Sequence, residues 1–199
     1  MSAAAASPHG LANAALLVAA LSVAGVAHVL WLKSRWARGW SSPIDGGATF
    51  RGRRLFGANK MLRGLVAMPL AAAAAFAAIG ATRGAYPEWL ARGSWDLSTG
   101  GYALLGFTCG LAFMAAELPN SFLKRQLDVA PGGLPRQRWL RPVCFVLDRS
   151  DSTLGVLAVV SAALPVSIAT WGWMLVLGPA SHAAFSGWLY RVKVKGRPL

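Results

Sequence analysis

Hydrophobic positions in this chain come in long unbroken runs rather than in the alternation of a half-buried sheet. No Lys, Arg, Asp or Glu occurs in 9–32, 64–82, 97–116 or 152–190. A bilayer core of about 30 Å takes about 20 residues of helix at a rise of about 1.5 Å each. Each of the first three runs therefore fits one span. The fourth is long enough for two, with a turn expected between Pro165 and Gly172. In lipid the backbone must satisfy its own polar groups, so each span is expected to be helical. The pattern predicts an all-α integral membrane protein. It has one membrane-embedded domain over 1–199 and five transmembrane helices, near 11–32, 65–82, 100–117, 152–170 and 172–190.

Charge adds an orientation. Twenty Lys and Arg face seven Asp and Glu, a net charge of +13, in a chain only 14% charged and 55% hydrophobic. So apolar a chain is not disordered. Two cysteines, Cys109 and Cys144, cannot staple it. A basic nucleic-acid binder would not carry such uncharged runs, so no nucleic acid is expected as partner. The basic residues cluster in 33–63, in 118–151 and in the tail (Arg191, Lys193, Lys195, Arg197), while 83–99 holds only Arg83 and Arg92. The positive-inside bias puts the three rich segments in the cytoplasm and the N-terminus outside, in a bacterial-type inner (cytoplasmic) membrane. No basic residue precedes Lys33, so the first run reads as a span rather than a signal peptide. Trp31, Trp36, Trp40, Trp89, Trp95, Trp171, Trp173 and Trp188 fall near span ends, as interfacial anchors do.

The acidic residues narrow the chemistry. Asp45, Asp128, Asp148 and Asp151 lie in the two basic cytoplasmic segments, and Glu117 stands at the edge of the second. Carboxylates among Lys and Arg suit a metal–phosphate site, because Mg²⁺ takes one or two carboxylates plus phosphate oxygens. Other readings stay open at this point. The first loop can simply meet anionic lipid heads. Asp148 and Asp151, three apart, can share a cation on one helix face or cap a helix start. Glu117 can be an interfacial acid. There is no Walker A pattern. His28 and His182 fall inside spans, where a hydrogen bond between helices is the common role. Their spacing to the cysteines matches no zinc site.

Four stretches carry a family likeness: Pro43-Ile44-Asp45-Gly46; Phe56-Gly57-Ala58-Asn59-Lys60 with Arg63-Gly64; Ser121-Phe122-Leu123-Lys124-Arg125; and Asp148-Arg149-Ser150-Asp151-Ser152. In order and spacing the chain resembles the CDP-archaeol synthase family and, more distantly, the CDP-diacylglycerol synthases (phosphatidate cytidylyltransferases). Pro179 and His182 match a Pro-x-x-His of the last span. Glu117 stands where these enzymes usually have Asp, and Met61 where the archaeal ones have Thr.

The resemblance implies a CTP-dependent cytidylyltransferase that converts a membrane lipid phosphate to a CDP-lipid and releases pyrophosphate. It implies Glu117, Asp148 and Asp151 as ligands of Mg²⁺. Lys124 and Arg125 would join Asp148 and Asp151 in catalysis. Asp45, Asn59, Lys60, Arg63, Asn120, Ser121 and Arg149 would bind substrate. CTP, the lipid phosphate and the membrane are the implied partners, and a homodimer is compatible with the pattern. A non-catalytic relative that binds or scaffolds anionic lipid is the alternative reading.

Overall fold

Alanine and glycine set how closely the helices approach. The computed structural model describes residues 9–191. Its elements are α1 (Gly10–Lys33), α2 (Arg35–Arg38), β1 (Thr49–Phe50), β2 (Arg53–Arg54), α3 (Leu62–Thr82), α4 (Glu88–Ala91), α5 (Thr99–Gln126), α6 (Leu140–Ala163) and α7 (Ile168–Arg191). A 3₁₀ turn, Arg83–Ala85, extends α3. The tail residues Lys193, Lys195 and Arg197, counted above among the cytoplasmic charges, lie outside the described residues.

Small residues make the seams, as membrane helices require. A Cβ on Gly106 of α5 would sit 2.4 Å from the Ala72 carbonyl of α3, and one on Gly155 of α6 would sit 2.5 Å from Ala116 Cβ of α5. One on Gly178 of α7 would sit 2.4 Å from Thr153 Oγ1 of α6. Phe76, Tyr102, Val156, Leu157, Val160 and Met174 fill the core between the helices.

The protein is an integral membrane protein of mainly helical build. Gly10–Lys33, Leu62–Ala85 and Thr99–Gln126 are long and apolar enough to cross a bilayer. α6 and α7 are each 24 residues, the length of α1.

The boundaries differ from expectation at three places. α5 does not stop near residue 117 but runs on through Pro119 to Gln126. Pro is tolerated inside membrane helices because neighbours satisfy the freed backbone groups. α6 begins at Leu140, well before residue 152. The break before α7 spans residues 164–167, at the early edge of the expected turn, where Ser167 Oγ accepts from the Thr170 amide at 3.1 Å. Trp95 is also not an interfacial anchor. It is 8% exposed, its indole donates to the Pro165 carbonyl at 3.4 Å, and its own carbonyl accepts from Tyr102 Oη at 2.8 Å. Trp36 and Trp89, by contrast, are 75% and 57% exposed.

Candidate active site

The polar residues of α5 and α6 form two facing stripes. On α5, Glu117, Asn120, Ser121 and Lys124 recur every three or four residues and so share a face. On α6, Cys144, Asp148, Asp151, Ser152 and Gly155 do the same. The close α5–α6 approach at Gly155 brings these stripes together.

Asn120 joins the stripes. Its Nδ2 donates to Asp148 Oδ1 at 2.7 Å and to Asp151 Oδ2 at 3.0 Å. Lys124 forms an ion pair with Asp148. Ser152 Oγ donates to Glu117 Oε1 at 3.1 Å and lies 3.3 Å from Asp151 Oδ1. The Ser152 amide also donates to Asp151 Oδ1 at 2.7 Å. Asp148 and Asp151 are therefore not caps: they stand in the third and fourth turns of a helix that starts at Leu140. Glu117 lies nine residues before the end of α5, about 13 Å of helix below that end.

The segment between α2 and α3 supplies the third wall. The Ile44 amide donates to the Lys60 carbonyl at 2.8 Å, and the Leu62 amide to the Ser42 carbonyl at 3.0 Å. This pairing holds Lys60 just ahead of α3, where its ammonium pairs with Glu117. Asp45 organises the turn between. Its carboxylate pairs with Arg54 and accepts from the amides of Gly47, Phe56 and Gly57 at 3.0, 3.1 and 3.3 Å. The Arg54 guanidinium and these amides hold its carboxyl well below the usual carboxylate range. Gly57 has φ +97°, and a Cβ there would meet Arg125 Nη1 and Pro131 at 3.4 Å. Only glycine suits that backbone beside the site.

These walls enclose a cavity of about 630 Å³, within the about 300–1,000 Å³ of small-molecule sites. Asn59, Lys60, Glu117, Asn120, Ser121, Lys124, Arg125, Asp148, Arg149 and Asp151 all line it. Asp45 and Arg63 do not. The first is occupied inside its own loop, and Arg63 Nη1 donates to the Ala37 carbonyl at 2.9 Å, tying α3 to α2. Cys144, Phe145 and His182 also line the cavity. A helical register carried back four residues from Asp148 points to Cys144, a signal hidden in the sequence because the charged residues before 152 look like a loop.

The charge inside is uneven. Lys60 and Lys124 are each matched to a carboxylate. Arg125 is not: its Nε and Nη1 are buried with no hydrogen-bond partner. A half-buried guanidinium with two empty donors fits an anion. Among the described residues no three His, Cys, Asp or Glu side chains are grouped as a ready ligand set. The Asp148–Asp151 pair bridged by Asn120 still offers the hard oxygen donors that Mg²⁺ prefers.

Comparison with known proteins gives a family. The chain is 32% identical over 173 residues to the CDP-archaeol synthases of two strains of Halobacterium salinarum, R1 and NRC-1, covering 80% of this chain and 84% of each relative. The chain belongs to the CDP-archaeol synthase family. No protein-family profile matches it, and no solved structure does. Of the stretches that carried the likeness in sequence, Asn59, Lys60, Ser121, Lys124, Arg125, Asp148, Arg149 and Asp151 meet around the cavity.

Proposed function

We propose that this family member is a CTP-dependent cytidylyltransferase of a membrane lipid phosphate. The observation that carries the reading is Arg125, whose Nε and Nη1 are buried without a hydrogen-bond partner, in a cavity that also holds Lys60 and Lys124. A triphosphate supplies anionic oxygens for the empty Arg125 donors and adds charge that the two lysines can share.

In the reaction, an oxygen of the lipid phosphate attacks the α-phosphorus of CTP. A new P–O–P bond forms, the α–β bridge breaks, and its electron pair leaves with pyrophosphate. The attacking oxygen is already ionised at neutral pH, so no general base is needed. What the chain must supply is in-line positioning and charge neutralisation. Arg125, Lys124 and Lys60 stabilise the phosphates, and Asn120 and Ser121 offer hydrogen bonds. Asp148 and Asp151 would hold Mg²⁺, which neutralises triphosphate charge when bound.

The bundle is read as five spans, α1, α3, α5, α6 and α7. The Lys and Arg distribution supports a cytoplasmic face for the site and a cytoplasmic-membrane location. The lipid chains then remain in hydrocarbon while the phosphate reaches the polar seam. Nothing in the comparisons favours the non-catalytic alternative.

The test is pyrophosphate release from purified protein given CTP, Mg²⁺ and vesicles containing a lipid phosphate. Release is expected, together with a rise in melting temperature on adding CTP and Mg²⁺. Arg125→Met is expected to weaken that nucleotide response at least about tenfold. No release with any lipid phosphate and no nucleotide-dependent stabilisation would overturn the reading.

A further inference from the structure

The short hairpin between α2 and α3 grips the end of α5. Its two central residues, Arg51 and Gly52, have φ of +52° and +76°, the paired left-handed conformation of a two-residue hairpin turn. Phe50 and Arg53 are direct partners across β1 and β2, so their side chains leave the same face. Both reach α5. The Phe50 ring lies 5.8 Å from that of Phe122, centre to centre. One helical turn further on, Arg53 Nη1 donates to the Gln126 carbonyl and Nη2 to Asp128 Oδ2, each at 2.6 Å. Arg54 points the other way, as the alternation of a strand requires, and pairs with Asp45 at the base of the hairpin.

The turn that Arg53 grips is the cap of α5. The Asp128 amide donates to the Arg125 carbonyl at 3.2 Å, and the Val129 amide to the Lys124 carbonyl at 2.9 Å. These are the two bonds of a Schellman cap, which needs a left-handed residue just past the helix, usually glycine. Here that residue is Asp128, at φ +56°, a conformation that a side chain disfavours. Arg53 offsets the cost by holding both the Asp128 carboxylate and the carbonyl of Gln126, the last helical residue. The two carbonyls that the cap secures belong to Lys124 and Arg125, whose side chains line the larger cavity. The chain that leaves the cap supplies more of the cavity wall, at Ala130, Gly132 and Leu134.

We propose that Arg53 is a positioning residue of the larger cavity: it locks the cap of α5 and thereby sets Lys124 and Arg125 toward the nucleotide, without touching the ligand itself. The assignment rests on reading that cavity as the nucleotide site. Arg53 does not line it, and two of its donors are already committed to α5. The Arg53–Asp128 pair is exposed, with side chains 44% and 59% accessible, and exposed ion pairs add little to stability. The grip therefore acts on geometry rather than on folding. It ties the segment that carries Asn59 and Lys60 to the segment that follows α5, so the two loops that line the cavity keep one arrangement.

The test separates positioning from direct contact. The half-saturating concentration of CTP, with Mg²⁺ present, is read from the melting temperature of each purified variant. Arg53→Ala is expected to raise it at least about fivefold, the cost of charge-assisted hydrogen bonds, while the melting temperature without ligand stays close to the parent's. Asp128→Gly, added to Arg53→Ala, supplies a residue that takes the left-handed conformation unaided and should return most of the affinity. Arg53→Lys keeps the charge but not the planar fork, and should recover less than the glycine does. Without nucleotide, hydrogen exchange at the Asp128 and Val129 amides should accelerate in Arg53→Ala and slow again in the double variant. Affinity that Asp128→Gly does not restore would make Arg53 a direct contact of the nucleotide and overturn the proposal, as would unchanged exchange at the cap in Arg53→Ala. If exchange at the cap responds as expected but CTP stabilises nothing in the parent, the nucleotide reading falls and the grip of Arg53 on the cavity wall stands.

Discussion

Lys124, in the last turn of α5, pairs with Asp148, in the third turn of α6, across the seam between the two helices. The pair neutralises both groups within the protein and fixes the register of one stripe against the other. Replacing the lysine by Met leaves Asp148 without its cation and takes one donor from the cavity. Lys124→Met is expected to lower the rate of pyrophosphate release by about 10²–10³-fold, the cost of a lost charge-stabilising donor. Lys124→Arg should retain more of it.

The two aspartates separate binding from folding. Asp148→Asn and Asp151→Asn keep acceptor oxygens toward Asn120 but lose a negative charge. Both variants should melt close to the parent without ligand. Both should lose the Mg²⁺-dependent part of the stabilisation by CTP. A full Mg²⁺-dependent response in both would remove this pair as the ion's ligands.

Gly155 tests the seam itself. A side chain there meets Ala116 Cβ at 2.5 Å and the Ala112 carbonyl at 2.8 Å. Gly155→Val should force α6 away from α5 and cost about 1–3 kcal/mol by overpacking. Turnover should fall with it, since the Glu117–Ser152 and Asn120–Asp148 bonds cross the same seam. Thermal melting and the release assay check both.

Asp45 gives a pH signature outside the bundle. Its folded pKa is depressed by Arg54 and by backbone amides, so the carboxylate stabilises the loop above the unfolded value of about 4. That contribution is lost as the pH falls from there through the lower folded value. The protection of the Phe56 and Gly57 amides from hydrogen exchange, relative to the unfolded chain at the same pH, should fall below about pH 4. In Asp45→Asn it should be fast already at neutral pH. Acid-independent protection of those amides would refute the role.

Much of the cavity was legible in the chain because its residue types are conspicuous. Acids embedded in basic segments stand out, and Glu117, Asp148, Asp151, Lys60, Lys124 and Arg125 all line one space. Asp45 and Arg63 look equally conspicuous, yet they serve the loop and the α2–α3 junction. Nothing local separates a carboxylate that faces a cavity from one that accepts its own loop's amides. His28 was legible only as an intramembrane histidine, because the burial of its Nε2 is a fact about its packing against α3.

Sequence alone determined the solvent of this protein. Long uncharged runs can lower their free energy only in hydrocarbon, and there the backbone has to coil into helices. It also determined which residues carry charge at the ends of those helices. The tertiary structure decided where the helices end and which charges meet. Pro119 did not stop α5, and α6 began twelve residues before its apolar run, so two segments that read as loops became facing helical stripes. Those outcomes depend on glycine and alanine contacts between helices distant in sequence, a property of packed surfaces rather than of any one segment's composition.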